Sequence, residues 1–237
     1  MNNANINGSG SIGGGTYSSV TINGSGHVNG DLVCETMTIN GSGSVRGNLH
    51  TDGSFTISGS GRVGGNITGN GRVSINGSVK IEGSVHCHSF RSSGSASVGG
   101  DCEGEDVELN GSGRIGGLLN GEKVRVYLYN GNHTEVGSIG GTDILVQQKP
   151  GGGNNLGSWH IRIFGVEIGS GTHMGTPCEL KTDTIEGDVI DISCTYANRV
   201  SGRVVKIGPG YRIGKVEYTE SIEMDSENSV VDEQIKL

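Results

Sequence analysis

One stretch constrains the chain more than any other: Phe55-Thr56-Ile57-Ser58-Gly59-Ser60-Gly61-Arg62-Val63-Gly64-Gly65-Asn66-Ile67. Near copies of it recur, with the first glycine at 8, 24, 41, 59, 77, 94 and 111, in steps of 16 to 18 residues. A second glycine, at 14, 30, 47, 65, 83, 100 and 117, keeps the same steps. Self-similarity at a short fixed period means that each copy is one structural unit stacked on the next.

Aligning the copies puts apolar residues in columns. One runs Ile6, Ile22, Ile39, Ile57, Ile75 and Leu109, interrupted by Ser92. A second runs Ile12, Val28, Val45, Val63, Ile81, Val98 and Ile115. A third runs Leu32, Leu49, Ile67, Val85, Cys102 and Leu119, and a fourth Val20, Met37, Phe55, Val73, Phe90 and Val107. Within a copy, apolar and polar residues alternate, as in Phe55-Thr56-Ile57, which is the period of a half-buried strand. Glycine and asparagine between the strands supply corners. Coils of about 17 residues that turn at glycines and point aliphatics inward predict an all-β chain, a single-stranded parallel β-helix of roughly 10 to 12 coils. Nothing favours helices, since glycine and β-branched residues dominate.

Glycine at 46 of 237 residues and 4% aromatics could indicate a low-complexity, disordered chain. The columns argue otherwise, because disordered sequence has no reason to keep apolar residues in register. Net charge is −8 with no basic stripe, which speaks against a nucleic-acid partner. No run is long and apolar enough for a transmembrane segment, and no signal peptide is recognisable. Five cysteines without CxxC spacing read as reduced thiols of a cytoplasmic protein, with Cys87 and Cys102 pointing inward.

In chain order, residues 1–146 read as β-helix coils, regular to Leu119 and looser after it. Leu128 stands where a corner glycine is usual, so that coil is expected to be wider. Residues 147–178 leave the pattern and are expected to form an excursion, with Trp159 to Phe164 alternating as in a hairpin on the flank or across an edge. Closing coils are expected over 179–218 and an acidic C-terminal tail over 219–237, with a terminal strand from about 217 leading into a mobile end.

The array of Ile-Asn-Gly-Ser-Gly-x-Val-x-Gly-Asn/Asp-Leu coils from Ile6 to Leu119 resembles the bactofilins. The later part, with Val205-Lys206-Ile207-Gly208-Pro209-Gly210 and Val216-Glu217-Tyr218, is similar to longer Gram-positive members. The resemblance implies a right-handed β-helix that stacks end to end into nonpolar filaments. It also implies a cytoplasmic scaffold, at the inner face of the membrane in some members, with the chain itself and cell-envelope or other proteins as partners. Members with a membrane-binding N-terminal tail differ from this sequence, whose residues 1–5 are a short polar lead.

Several motifs invite a chemical reading and resolve as structure. Gly8 to Gly13, Gly59 to Gly64 and Gly111 to Gly116 match GxGxxG, but that motif needs a helix after it to hold a pyrophosphate. Here another strand follows, so no cofactor is expected. No residue is a candidate for catalysis, since neither a GxSxG elbow nor a triad order occurs. The repeat of Ile57 to Val63 and Ile75 to Ile81 at six residues also suits a left-handed hexapeptide acyltransferase. Those coils hold to 18 residues, and Gly69 and Cys87 fall on the third hexapeptide position. A surface adhesin of similar shape would need the missing signal peptide.

Two local features remain. His86 and His88 flank Cys87, and one coil further on lie Glu103 and Glu105. Two imidazoles facing two carboxylates could hold zinc or another divalent metal. Alternatively they form a surface ladder of complementary charges. The second feature is the pair of ends. Ile6 and Ile12 in the first coil, and Ile213 and Val216 near the last, are expected to expose strand edges and apolar columns through which copies self-assemble.

Overall fold

The computed structural model describes residues 2–149, 159–163, 166–171, 178–225 and 230–237. In order these form β1 (Asn3–Val45), β2 (Leu49–Val63), β3 (Ile67–Thr68), β4 (Arg72–Ile81), β5 (Val85–His86), β6 (Ser89–Val98), β7 (Cys102–Glu103) and β8 (Asp106–Leu128). They continue as β9 (His133–Gln148), β10 (Trp159–Ile163), β11 (Val166–Gly171), β12 (Glu179–Ile192), β13 (Thr195–Ile207), β14 (Arg212–Met224) and β15 (Val230–Lys236). No helix occurs among the described residues.

The long strands stack β2-β4-β6-β8-β9-β12-β13-β14-β15, while short β3, β5 and β7 stack on another face. Every pairing between coils is parallel, the signature of a chain that winds in one sense and lays each coil on the last. The result is a β-solenoid of about 10 turns. β1 runs through several coils without a break because the chain bends at single glycines, Gly8, Gly24 and Gly41, with φ of 94°, 118° and 124°. An L side chain is strained there, and glycine is not.

The four apolar columns form the core. All their members are buried except Ile12, which is half-buried. Ser92 is buried as well, in register between Ile75 and Leu109. Neighbours make up its missing volume. Four positions after Ile22, Ile39 and Ile57 stands a glycine (Gly26, Gly43, Gly61), and a Cβ there would strike that isoleucine's side chain, whereas Ile75, in register with Ser92, is followed by Val79. Beside the smaller Ser92, Val79 and Ala96 occupy those positions and are buried.

A polar ladder runs up one corner. The side-chain oxygen of each of Asp31, Asn48, Asn66, Ser84 and Asp101 accepts from a backbone N–H of the coil above, at 2.7 to 3.1 Å. A backbone donor at a bend, which no strand partner reaches, is satisfied in this way. The second glycine series leaves room for it, since a Cβ on Gly65 or Gly117 would stand 2.3 or 2.0 Å from the oxygen of Asn48 or Asp101.

Past Leu119 the solenoid widens as expected: Ile115 pairs with Val136, twenty-one residues on, and Leu128 is fully buried. Residues 147 and 148, expected to begin the excursion, still lie in β9, Gln147 against Tyr127 and Gln148 against Leu128. Lys149 N donates to Leu128 O at 2.8 Å, and Glu179 N to Asn132 O at 3.2 Å, so the excursion departs from either side of the Tyr129–Asn132 turn. Lys149 Nζ lies 3.3 Å above the Tyr127 ring. Within the excursion β10 and β11 pair antiparallel, Trp159 with Gly171 and Ile163 with Val166. The packing expected for it on the flank or across an edge lies outside the described residues.

The C-terminal stretch corrects one expectation. A terminal strand followed by a mobile tail is the expectation for this stretch; the strand is present as β14, which continues through Met224, but in place of a tail β15 lies in parallel register on it, Ile213 against Val231 and Val216 against Gln234. The acids that suggested a tail project outward from an edge strand, where charge is tolerated, while Val231 and Ile235 are partly buried.

Candidate functional site

The two ends of the solenoid differ. At the start, Ile6 is 6% exposed and Ile12 half-buried, whereas Ile22 and Val28 on the next coil are both at 0%. Residues 1–30 contain no Asp, Glu, Lys or Arg. Strand edges and the top of an apolar column therefore lie together on a surface without side-chain ions.

At the other end Ile213 and Val216 are fully buried under β15. The outermost edge is that of β15, with Asp232, Glu233 and Gln234 exposed along it. Gln234 continues the column of Val216, so the apolar core ends in an amide. Just inside lies Glu217, 8% exposed, with Oε2 accepting from Arg199 Nε at 2.8 Å and Nη2 at 2.5 Å, and Oε1 2.8 Å from Lys215 Nζ. The lysine and then the arginine hold its carboxyl below the usual carboxylate range. In the sequence the only signal of Glu217's role is its spacing from Lys215, two residues back on the strand.

The histidine cluster forms as the coil spacing predicts. His86 Nδ1 stands 3.2 Å from Glu103 Oε2, and His88 Nδ1 3.2 Å from Glu105 Oε1. The four side chains line one wall of a cleft of about 790 Å³, together with Asn120 and Glu122. They meet as two separate pairs, and among the described residues no three His, Cys, Asp or Glu side chains are arranged to hold a metal ion. The pairs are well exposed, and such pairs contribute little on their own. The same kind of cross-coil pair recurs at Arg62–Glu82, Arg91–Glu108 and Arg114–Glu135, which makes it a general feature of the outer faces.

A parallel solenoid with a continuous aliphatic core and charge-paired outer faces defines the chain as a β-solenoid repeat protein. Residues 42–129 match the model of the bactofilin family, described as polymer-forming cytoskeletal. Compared with curated proteins and with solved structures, the chain gives no match. The acyltransferase alternative is not favoured: neighbouring coils are offset by anything from 15 residues (Leu180 to Thr195) to 21 (Ile115 to Val136). Among the described residues no helix is long and apolar enough to cross a membrane.

Proposed function

We propose that this polymer-forming protein assembles end to end, its first coil meeting the first coil of a second copy, into nonpolar filaments of right-handed β-helices. The observation that carries the reading is Ile12. It is the one residue of the four columns that is half-buried instead of buried, and it stands on a surface free of ionic side chains. Two copies meeting there bury like surface against like, which suits a two-fold contact. Tail-to-tail contact would go through the β15 edge, where Asp232 and Glu233 of both copies would face each other. Head contacts are therefore the stronger, and salt promotes the tail contacts by screening. Such a filament would serve as a cytoplasmic scaffold at the inner face of the membrane, holding cell-envelope or other proteins.

Light scattering and negative-stain microscopy of the full chain and of Ile12→Arg test this, with circular dichroism as the folding control. The arginines of two copies would meet across the two-fold axis, and like charges there cost several kcal/mol. Wild type should give filaments that lengthen with salt, and the variant no species beyond a tail-to-tail dimer. Filaments of undiminished length from the folded variant would rule the first coil out as a contact.

A further inference from the structure

Cys178 and Cys194 come from different coils and meet. Cys178 is the residue at which the chain rejoins the solenoid after the excursion, and Cys194 lies at the corner after β12. Leu180 N donates to Cys194 O at 2.9 Å, which sets the two segments side by side. The Cys178 Sγ then lies 2.8 Å from the Cys194 Sγ. Cys194 has a φ of +52°, the only positive φ outside glycine among the described residues. Glycine fills the other left-handed corners, including Gly210, whose Cβ position stands 3.7 Å from the Cys194 Sγ. A cysteine is strained in this conformation where glycine is not, and here its thiol lies against that of Cys178. Cys178 is buried, while Cys194 is partly exposed and within reach of a small molecule.

We propose that Cys178 and Cys194 form a dithiol site that closes to an intramolecular disulfide on meeting a small-molecule disulfide such as glutathione disulfide, fastening the return point of the excursion to the following coil. The Cys194 thiolate attacks one sulfur of glutathione disulfide, that S–S bond breaks, and one glutathione leaves. The Cys178 thiolate then attacks the Cys194 Sγ, forming the new S–S bond and expelling the second glutathione. The cysteine pair gives up two electrons, which reduce glutathione disulfide, and the two thiol protons end on the two glutathione thiols. Burial pushes the Cys194 thiol up to about 12, so closure is slow at neutral pH and speeds up about tenfold per pH unit from 7 to 9. Cys34, Cys87 and Cys102 are buried in the core and act as internal controls. The proposal is independent of how the ends assemble.

The test is incubation of the full chain with glutathione disulfide at pH 7, 8 and 9, then unfolding, alkylation and tryptic mapping. Cleavage at Lys181 separates the two cysteines, so the disulfide joins peptides 163–181 and 182–199. The expected result is that cross-link, alkylatable thiols falling from five to three, and a thermal midpoint raised by several degrees until dithiothreitol is added. Cys178→Ser should instead keep a glutathione adduct on Cys194, with no thermal shift. Five alkylatable thiols at pH 9, a lasting Cys194 adduct in wild type, or a Cys87–Cys102 cross-link would each overturn the proposal.

Discussion

Gly59 lies on Gly41 so closely that a Cβ on Gly59 would stand 2.2 Å from the Gly41 carbonyl oxygen. The same contact repeats at Gly77 on Gly59 and Gly94 on Gly77, at 2.1 and 2.2 Å. The glycine ladder is thus fixed twice over, by a positive φ and by the coil beneath.

These two causes can be separated. Gly59→Ala meets both and should cost about 3 kcal/mol or more. Gly8→Ala has a φ of 94° but nothing within 4 Å, so only the backbone strain of about 1 kcal/mol applies. Gly13→Ala has neither and should be neutral or stabilising by about 0.5 kcal/mol. Urea midpoints of the three variants check the order, and equal losses at Gly59 and Gly8 would remove the role of stacking.

Val63 and Ile81 are in direct register and at 0% exposure. Val63→Asp places an unpaired charge in that column and should cost about 4 kcal/mol or more. Arg62, one residue back, points outward and pairs with Glu82 at 2.7 Å. Arg62→Ala should cost no more than about 0.5 kcal/mol. Chemical denaturation of both decides whether inside and outside are assigned correctly.

The Ser92 hydroxyl is buried without a hydrogen-bond partner, and the space beside it is filled by Val79 and Ala96. Ser92→Ala removes an unmet polar group without adding volume. It should stabilise the chain by about 1 kcal/mol, read as a raised thermal midpoint. A lower midpoint would mean that the hydroxyl makes a bond through water.

Glu217 gives the chain an acid-sensitive point near its last coils. Its folded-state carboxyl is held below the ordinary range by Lys215 and Arg199. Its contribution is therefore present above the unfolded value, about 4.3, and is lost as pH falls through the depressed folded value. Glu217→Gln should lower the thermal midpoint at pH 7, and the gap to wild type should close as pH drops below about 4. A gap that stays constant with pH would assign the loss to shape instead of charge.

Much of this was legible in the residues alone. The columns, the glycine ladder and the pairing of His86 with Glu103 and of His88 with Glu105 all follow from one step length, because a solenoid turns sequence spacing directly into vertical contact. The Asp31-Asn48-Asn66-Ser84-Asp101 ladder was equally periodic, though its task at the corner shows only when the unpaired backbone N–H above each is seen. Past Leu119 the step length changes to 20 or more, then to 15, and spacing stops reporting who stacks on whom. For that reason the tertiary structure alone decided that Ile213 and Val216 lie beneath β15, and that Cys178 meets Cys194. An insertion resets the register of every coil after it, and only the folded backbone carries that new register.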